Sequence, residues 1–246
     1  MIRVQAFAKT DVGIMRQMNQ DFCYANTSRE GLLPNLFIVA DGMGGHNAGD
    51  FASRFCVDKF VELVRNAGAG VISRLSFMES AIKETNEQLI VKAAENPELD
   101  GMGTTFVMCT ISDENEMDVL NIGDSRLYLI DTDIRQITED HSLVMEMVKN
   151  GEIKKEEARF HPKKNVVTRA ISAIGLVIPD MFRVPVKKDD IILLCSDGLS
   201  NMIADSEIYD IINENRDDLE KTANTLVDRA NRNGGRDNIT VVLVKI

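Results

Sequence analysis

The sequence predicts an α+β protein whose strands and helices occur in separate groups along the chain. Seven short segments are rich in Val, Ile, Leu and Phe and are bounded by Gly, Asp or Asn, which is typical of strands. Other segments repeat apolar residues at every third or fourth position, which indicates helices. Because helices separate groups of strands, a mixed layered fold is favoured over strict strand–helix alternation.

The predicted strands span residues 3–9, 36–40, 104–111, 117–122, 127–130, 191–196 and 239–244. Strand 36–40 is apolar throughout and strand 191–196 is apolar up to its last residue, Ser196, as expected for strands buried on both faces. Three segments have apolar residues at helical spacing and are predicted to be helices. Their apolar residues are Ala52, Cys56, Phe60 and Leu63; Leu75, Met78, Ile82, Leu89 and Ala93; and Leu219, Ala223, Leu226 and Ala230.

Length and composition predict one domain with an insertion. The 246 residues are 44% hydrophobic, which is enough to bury a sizeable core. Residues 140–173 are polar and charged and interrupt the strands on either side. We therefore predict a single domain over residues 1–246 that carries an exposed flap at about 140–173.

The charge and cysteine patterns exclude several classes of protein. The net charge is −11 without a basic stripe, which argues against nucleic-acid binding. No apolar run approaches the roughly 18 residues of a membrane span, and the N-terminus lacks signal-peptide features. The 4 cysteines are far apart and lie beside apolar residues, as reduced core thiols do. We expect a cytoplasmic protein, and a monomer.

Aspartates stand repeatedly at the ends of the predicted strands. Asp41 and Asp197 each follow an apolar run and precede a glycine, whereas Asp124 lies in a short link between strands. Asp21 and Asp237 each precede an apolar run. Turn chemistry explains any one of them. If the strand ends meet, however, the crowded carboxylates need a cation, and oxygen ligands favour Mg²⁺ or Mn²⁺.

A phosphate-binding glycine loop is one alternative interpretation of the segment after Asp41. Gly42, Gly44 and Gly45 begin like a dinucleotide-binding fingerprint, but Asn47 stands where the third glycine is required. There is also no G-K-[ST] sequence, and an acidic start is unsuited to a loop that only binds anions.

A cysteine-dependent phosphatase is a second alternative. The segment "CYANTSR", from Cys23 to Arg29, has the C-x5-R spacing in which a thiolate attacks a phosphate held by arginine. Its loop contains no glycine, no histidine precedes the cysteine, and no helix evidently follows the arginine. We therefore interpret Cys23 as a core residue.

A third alternative is a phosphopeptide-binding or docking domain with little turnover. Loss of one or more of the strand-end aspartates would favour such a domain, because a binding module does not need the complete reactive site. All five aspartates are present in this chain. The enzyme interpretation is therefore preferred, with the docking domain as its alternative.

Seven motifs together resemble the metal-dependent protein Ser/Thr phosphatases of type 2C in their compact bacterial form. In chain order they are "TDVGIMRQMNQD", "FIVADGMGGHNAGDFAS", "GTTFV", "NIGDSRLYLI", "ITEDHSLV", "LLCSDGLSN" and "GRDNITVV". The resemblance covers nearly the whole chain. It implies a four-layer α-β-β-α sandwich, in which two mostly antiparallel sheets are flanked by helical hairpins.

The resemblance also implies two Mn²⁺ or Mg²⁺ ions, with a weaker third. Asp41 is then the carboxylate that bridges two ions, and the carbonyl of Gly42 is a ligand to one of them. Asp197 and Asp237 are ligands to the other ion. Asp124 joins Asp197 at the third ion.

Four further features acquire roles from the resemblance. Asp21 acts on the metal shell mostly through water, and Arg16 binds the phosphate of the substrate. Asn238 follows Asp237 as in the "DN" pair of the family, and the flap influences substrate choice. The implied reaction is attack on phosphoserine or phosphothreonine in proteins by a metal-activated water, and the implied partner is an opposing Ser/Thr kinase.

The chain departs from its relatives at three positions. Gln20 stands where many of them have Glu, and Asn201 stands where some have an Asp that serves the third ion. Met43 replaces a His that animal relatives carry as the proposed general acid. Protonation of the leaving group is left to His46, to another group or to water.

Overall fold

A computed structural model describes residues 4–45, 48–68 and 73–246. Its strands are β1 Gln5–Asp11, β2 Asp21–Asn26, β3 Leu36–Met43, β4 Gly103–Thr104, β5 Phe106–Ile111, β6 Glu116–Ile122, β7 Arg126–Ile130, β8 Ile134–Gln136, β9 Ile171–Ser172, β10 Asp180–Pro185, β11 Ile191–Cys195 and β12 Ile239–Lys245. Its α-helices are α1 Ala48–Asn66, α2 Arg74–Glu95, α3 Leu143–Lys149, α4 Lys155–Ala158, α5 Asp197–Ser200, α6 Asp205–Glu214 and α7 Leu219–Arg232.

The strands form two sheets. One sheet has five strands in the order β1-β12-β11-β7-β8. The other has seven strands in the order β10-β6-β5-β3-β4-β9, with β2 paired to β3. All of these strand pairs are antiparallel. The predicted α+β class, with two antiparallel sheets, is confirmed.

Three hydrophobic clusters separate four layers. The first lies between α1 and α2 and the seven-stranded sheet, the second between the two sheets, and the third between the five-stranded sheet and α6 and α7. On β3, Leu36 and Ile38 belong to the first cluster, whereas Phe37 and Val39 belong to the second. Both faces of the strand are therefore buried, which is why its sequence is apolar at every position rather than at every second one.

The predicted end of strand 36–40 is wrong, because β3 continues through Asp41 and Gly42. In the observed register Asp41 pairs with Asp21 on β2, and Gly42 pairs with Thr104 on β4. The Asp-Gly pair is thus held inside the sheet and is not a turn. Its backbone is fixed on both sides by neighbouring strands.

The predicted strand 104–111 is divided into β4 and β5. The break falls at Thr105, whose backbone N–H donates to the carbonyl oxygen of Asp41 at 2.9 Å. The segment therefore leaves the regular ladder at the point where it contacts the predicted site.

Residues 140–173 contain α3, α4 and β9, so the segment leaves the sheets after β8 and rejoins the seven-stranded sheet at β9. Backbone bonds close the base of this flap: Thr168 N donates to His141 O at 2.8 Å, and Leu143 N donates to Val166 O at 2.8 Å. Among the described residues, no helix has the length and apolar character needed to cross a membrane.

Candidate metal centre

The predicted aspartates lie around one cavity. Asp21 is the first residue of β2, and Asp41 faces it across the strand pair. Asp124 lies in the link between β6 and β7, Asp197 begins α5, and Asp237 comes just before β12. A cavity of about 310 Å³ is lined by Asp41, Asp124, Asp197 and Asp237, together with Arg16, Gln20, Gly42, Met43, Gly44, Thr105, Asn165 and Val167.

Asp21 lies beneath this cavity and is only 2% exposed. One carboxylate oxygen, Oδ2, accepts a hydrogen bond from Ser196 Oγ at 2.7 Å. The other oxygen, Oδ1, is buried and has no hydrogen-bond partner among the described residues. Burial, supported by repulsion from Asp197 and Asp237, raises the pKa of Asp21 to about 7.

Asp41 and Gly42 are fixed by backbone packing. The carbonyl oxygen of Asp41 accepts from Thr105 N and from Thr104 Oγ1, both at 2.9 Å. A Cβ on Gly42 would lie 2.1 Å from the carbonyl oxygen of Gly49 on α1, so only glycine fits between β3 and this helix. Burial and then repulsion from Asp21 hold the pKa of Asp41 well above its usual range.

Asp197 is held at the start of α5. Its Oδ2 accepts from Asn201 Nδ2 at 2.9 Å, and Asn201 Oδ1 in turn accepts from Lys164 Nζ of the flap at 3.2 Å. Its Oδ1 is buried without a hydrogen-bond partner among the described residues. Burial and repulsion from Asp237 raise the pKa of Asp197 to about 6, although Lys164 opposes the shift.

Asp237 contacts Arg16. Arg16 Nη2 donates to Asp237 Oδ2 at 2.7 Å, and the arginine side chain is 48% exposed. Asn238 holds the loop that carries Arg16: its Nδ2 donates to the carbonyl oxygens of Val12 and Met18 at 2.9 Å each, and its Oδ1 accepts from Gln20 N at 2.8 Å. The "DN" pair therefore couples one aspartate to the position of the arginine.

Asp124 is 8% exposed and stands in a rigid link. The preceding Gly123 has a φ of +105°, and a Cβ there would lie 2.6 Å from the side chain of Thr105. Arg126, two residues after Asp124, donates to Asp140 through Nε at 3.0 Å and through Nη2 at 2.7 Å. Burial and then repulsion from Asp197 raise the pKa of Asp124 to about 8.

These carboxylates fit divalent cations. Four buried aspartates have raised pKa values because burial and mutual repulsion disfavour their charged forms, and two of their oxygens lack partners among the described residues. Buried charges require pairing or a metal. An all-oxygen donor set suits the hard ions Mg²⁺ and Mn²⁺.

In the described part of the chain, no three His, Cys, Asp or Glu side chains form a ready ligand set around one ion. One reason for the lack of a ready ligand set is that two carboxylate oxygens already accept hydrogen bonds. One oxygen of Asp237 accepts from Arg16, and one oxygen of Asp197 accepts from Asn201. An ion bound here therefore needs further oxygens, from a backbone carbonyl or from water, and movement of Arg16.

The two histidines in the described part of the chain, His141 and His161, do not supply an evident general acid. His46 and Asn47 lie outside the described residues, and Met43 lines the cavity. His141 is buried, with Nδ1 accepting from Gly123 N at 3.0 Å and Nε2 lying 3.0 Å from Asp180 Oδ2. His161 Nδ1 accepts from the backbone of the flap. The hydrogen bond from Gly123 to His141 fixes the link just before Asp124.

Cys23 is unsuited to the thiol mechanism. It lies on β2 opposite Val39, and burial together with nearby Asp21 raises the pKa of its thiol to about 11. A nucleophilic cysteine needs a lowered pKa. Arg29 donates instead to the carbonyl oxygen of Gly31 at 3.0 Å, which gives the C-x5-R segment no phosphate site.

Sequence reasoning missed Ser196, Thr105 and Lys164. Ser196 immediately precedes Asp197, so its place at a strand end was a usable signal. Lys164 was not distinguishable from Lys163, because their difference arises from the packing of the flap: Lys163 is exposed and Lys164 is half-buried.

A four-layer α-β-β-α fold with buried aspartates around one cavity is the arrangement expected of a metal-dependent phosphatase. The chain belongs to the protein phosphatase 2C family, since the family model described as "Protein phosphatase 2C" matches residues 15–243.

Named relatives agree with this membership. The chain is 41% identical over 244 residues to the serine/threonine phosphatase stp of Listeria innocua, covering 96% of this chain and 94% of that protein. The structure of the Streptococcus agalactiae serine/threonine phosphatase is similar with a TM-score of 0.90, at 32% identity, covering 99% of both chains. The catalytic domain of the protein phosphatase PstP in complex with 2 manganese ions is similar with a TM-score of 0.85, at 32% identity, covering 98% of this chain and 97% of that one.

Proposed function

We propose that this chain hydrolyses phosphoserine and phosphothreonine in proteins with the help of Mn²⁺ or Mg²⁺. The observation that carries the proposal is the group of buried carboxylates with raised pKa values around one cavity that Arg16 also lines. The names of the relatives and the two manganese ions bound by PstP support it.

Two ions are assigned to Asp41, the carbonyl of Gly42, Asp197 and Asp237. Asp21 supports them from beneath through its free oxygen, and Asp124 with Asp197 holds a weaker third ion. When bound, such ions lower the pKa of water and offset charge on the phosphoryl oxygens. The aspartates hold this charge within strands or in the short links beside them, so little rearrangement of the carboxylates is needed during the reaction.

Arg16 is assigned to the phosphate. Its side chain is half-exposed at the cavity and bonds to Asp237. When Asp237 binds an ion, the guanidinium is released to bind two phosphoryl oxygens in its planar fork. Asn238 keeps the arginine loop in place for this exchange.

The remaining assignments concern the chain as a whole. Residues 1–246 form one catalytic domain, and the flap at about 140–173 borders the cavity, where Asn165 and Val167 line its wall. The substrates are phosphorylated proteins, and a cognate Ser/Thr kinase supplies them. The protein acts in the cytoplasm as a monomer.

Hydrolysis of a phosphothreonine peptide by the full chain tests the proposal. Metal-free protein is expected to be inactive, and Mn²⁺ or Mg²⁺ is expected to restore phosphate release after EDTA. Binding of the peptide without release of phosphate, in the presence of Mn²⁺, would instead identify a docking domain.

A further inference from the structure

Lys164 is the flap residue that reaches the metal-site carboxylates. Its Nζ donates to Asn201 Oδ1 at 3.2 Å, and Asn201 Nδ2 donates to Asp197 Oδ2 at 2.9 Å. The flap and α5 are thus joined by a short relay of ammonium, amide and carboxylate.

The relay borders a second cavity, of about 570 Å³, that lies between the flap and α5 and α6. Lys164, Asn201 and Asp197 all line it, and so does Asp124. Asp124 and Asp197 also line the 310 Å³ cavity. The two carboxylates therefore form the boundary between the cavities, and Lys164 approaches them from the flap side.

Two other cations near this boundary, Arg126 and Arg16, are already engaged. Arg126 binds Asp140 through two nitrogens, and Arg16 binds Asp237. Lys155 and Arg159 also line the second cavity.

In the contacts of the described residues, Lys164 bonds only to a neutral amide, that of Asn201. Its positive charge also acts on Asp197, where it lowers the pKa against the rise caused by burial and Asp237. Burial, together with the charges of Arg159 and Arg236, lowers the pKa of Lys164 itself.

Asn201 makes this arrangement possible. A carboxylate at position 201 would add a third negative charge beside Asp124 and Asp197 and would attract a divalent ion. The amide is neutral, so one ammonium offsets much of the charge of Asp197. A fixed positive charge at this place also repels a second cation, and because Lys164 is half-buried, solvent screens part of this repulsion.

We propose that Lys164 competes with a third divalent ion for the position beside Asp124 and Asp197. With the flap packed as observed, the ammonium group supplies the positive charge there, and the ion and the ammonium exclude one another. Lys164 is a positioning residue in this proposal, because it touches neither substrate nor reacting atoms. The proposal rests on the proposed function, since it presupposes the two more tightly bound ions.

Mn²⁺ binding to the metal-free full chain tests the proposal directly. Free Mn²⁺ is measured by electron paramagnetic resonance during titration of the wild type, Lys164→Gln, Lys164→Arg and Lys163→Gln. Lys163→Gln is the matched control, because it removes the same charge from the exposed neighbour. Far-ultraviolet circular dichroism establishes that each variant is folded.

We expect all four proteins to bind two ions alike. Lys164→Gln should tighten the weakest Mn²⁺ binding about tenfold, whereas Lys164→Arg and Lys163→Gln should leave it unchanged. The double variant Asp124→Asn/Lys164→Gln should lose the gain, which would locate the ion at Asp124.

An unchanged or weakened third affinity in Lys164→Gln, or an equal gain in Lys163→Gln, would overturn the proposal about Lys164 while leaving the two-ion site intact. Failure of the wild type to bind any Mn²⁺ would overturn both proposals. Release of phosphate from the phosphothreonine peptide, measured separately, distinguishes these failures.

Discussion

Two buried acidic sites in the same seven-stranded sheet differ in what neutralises them. Asp118 on β6 is fully buried and contacts Arg74 of α2 at 2.9 Å and Arg183 of β10 at 2.5 Å. Asp21 on β2 is almost as deeply buried, but its side-chain hydrogen bonds come from the neutral hydroxyls of Ser196 and Thr240, and its Oδ1 has no partner among the described residues. One carboxylate is thus neutralised by the protein itself, and the other is not.

The difference separates a carboxylate with a structural role from one that we assign to the proposed metal site. Arginines that bind Asp118 tie a helix and two strands together. The group around Asp21 and Asp41 is left with excess negative charge, because most of its near neighbours are other carboxylates. In the proposed function, this excess charge binds cations.

The largest expected effect is the loss of activity in Asp41→Asn. The substitution keeps the shape of the side chain but removes the charge at the centre of the cluster, so we expect kcat/KM for a phosphothreonine peptide to fall by about 10³-fold or more. Asp58→Asn, on an exposed face of α1, is the matched control and should retain full activity. Retention of activity by Asp41→Asn would remove its assigned role.

Metal-free protein should become less stable as the pH rises from about 5 to about 8. The folded-state pKa values of Asp197, Asp21 and Asp124, about 6, 7 and 8, lie above the unfolded value near 3.9, so the folded state binds more protons in this window. Stability is therefore greatest below the unfolded pKa, falls as the pH rises from there towards each folded-state pKa, by on the order of 1 kcal/mol per pH unit and group, and levels off above it.

Urea unfolding at several pH values checks this sign. Saturating Mn²⁺ should abolish most of the loss, because the ion replaces the protons. A metal-free protein that gains stability between pH 5 and pH 8 would contradict the assigned direction of the pKa shifts.

Substitution of the two buried aspartates should change stability in opposite directions. Asp118→Asn leaves Arg74 without its carboxylate and Arg183 with Glu116 alone, and it should lower the free energy of unfolding by about 2 kcal/mol, since both arginines are partly exposed. Asp21→Asn should stabilise metal-free protein at pH 8 by up to about 1 kcal/mol. If Asp118→Asn and Asp21→Asn lowered the free energy of unfolding equally, the distinction between the two sites would be contradicted.

Arg16→Ala should chiefly raise KM, by about tenfold, because one charge-assisted contact to the phosphate is lost. Binding of Mn²⁺ should not weaken, since the substitution also frees Asp237 from its ion pair. Arg183→Ala provides the comparison at the structural site and should leave KM unchanged. An unchanged KM in Arg16→Ala would show that the arginine does not bind the substrate.

The smallest expected effect is that of Cys23→Ser on turnover, which should stay within about twofold of the wild type. The thiol is half-buried on β2 and its raised pKa keeps it protonated. Complete loss of activity in the folded Cys23→Ser variant would favour the thiol mechanism instead.

Much of the fold was predictable from the sequence because burial leaves a direct mark on composition. Strands β3 and β11 lie between helices and a second sheet, so their apolar runs identified them. Strand β10, Asp180–Pro185, was missed because it is partly exposed and lacks alternation. Helix α6, Asp205–Glu214, was missed although its buried residues Ile208, Ile211 and Ile212 have helical spacing.

The site was predictable in its aspartates but not in its partners. An aspartate at a strand end is a local signal, so Asp41 and Asp197 could be selected from the chain itself. The contact of Lys164 with Asn201 joins positions 37 residues apart, and no local pattern encodes it. The pairing that places Asp41 inside β3 is likewise a tertiary feature.

The most direct test of the central claim is the number of Mn²⁺ ions bound by metal-free protein at pH 7.5, measured together with hydrolysis of a phosphothreonine peptide. We predict at least two bound ions per chain, and hydrolysis that appears only as they bind. Full hydrolysis by protein that retains no divalent ion in the presence of a chelator would contradict the account.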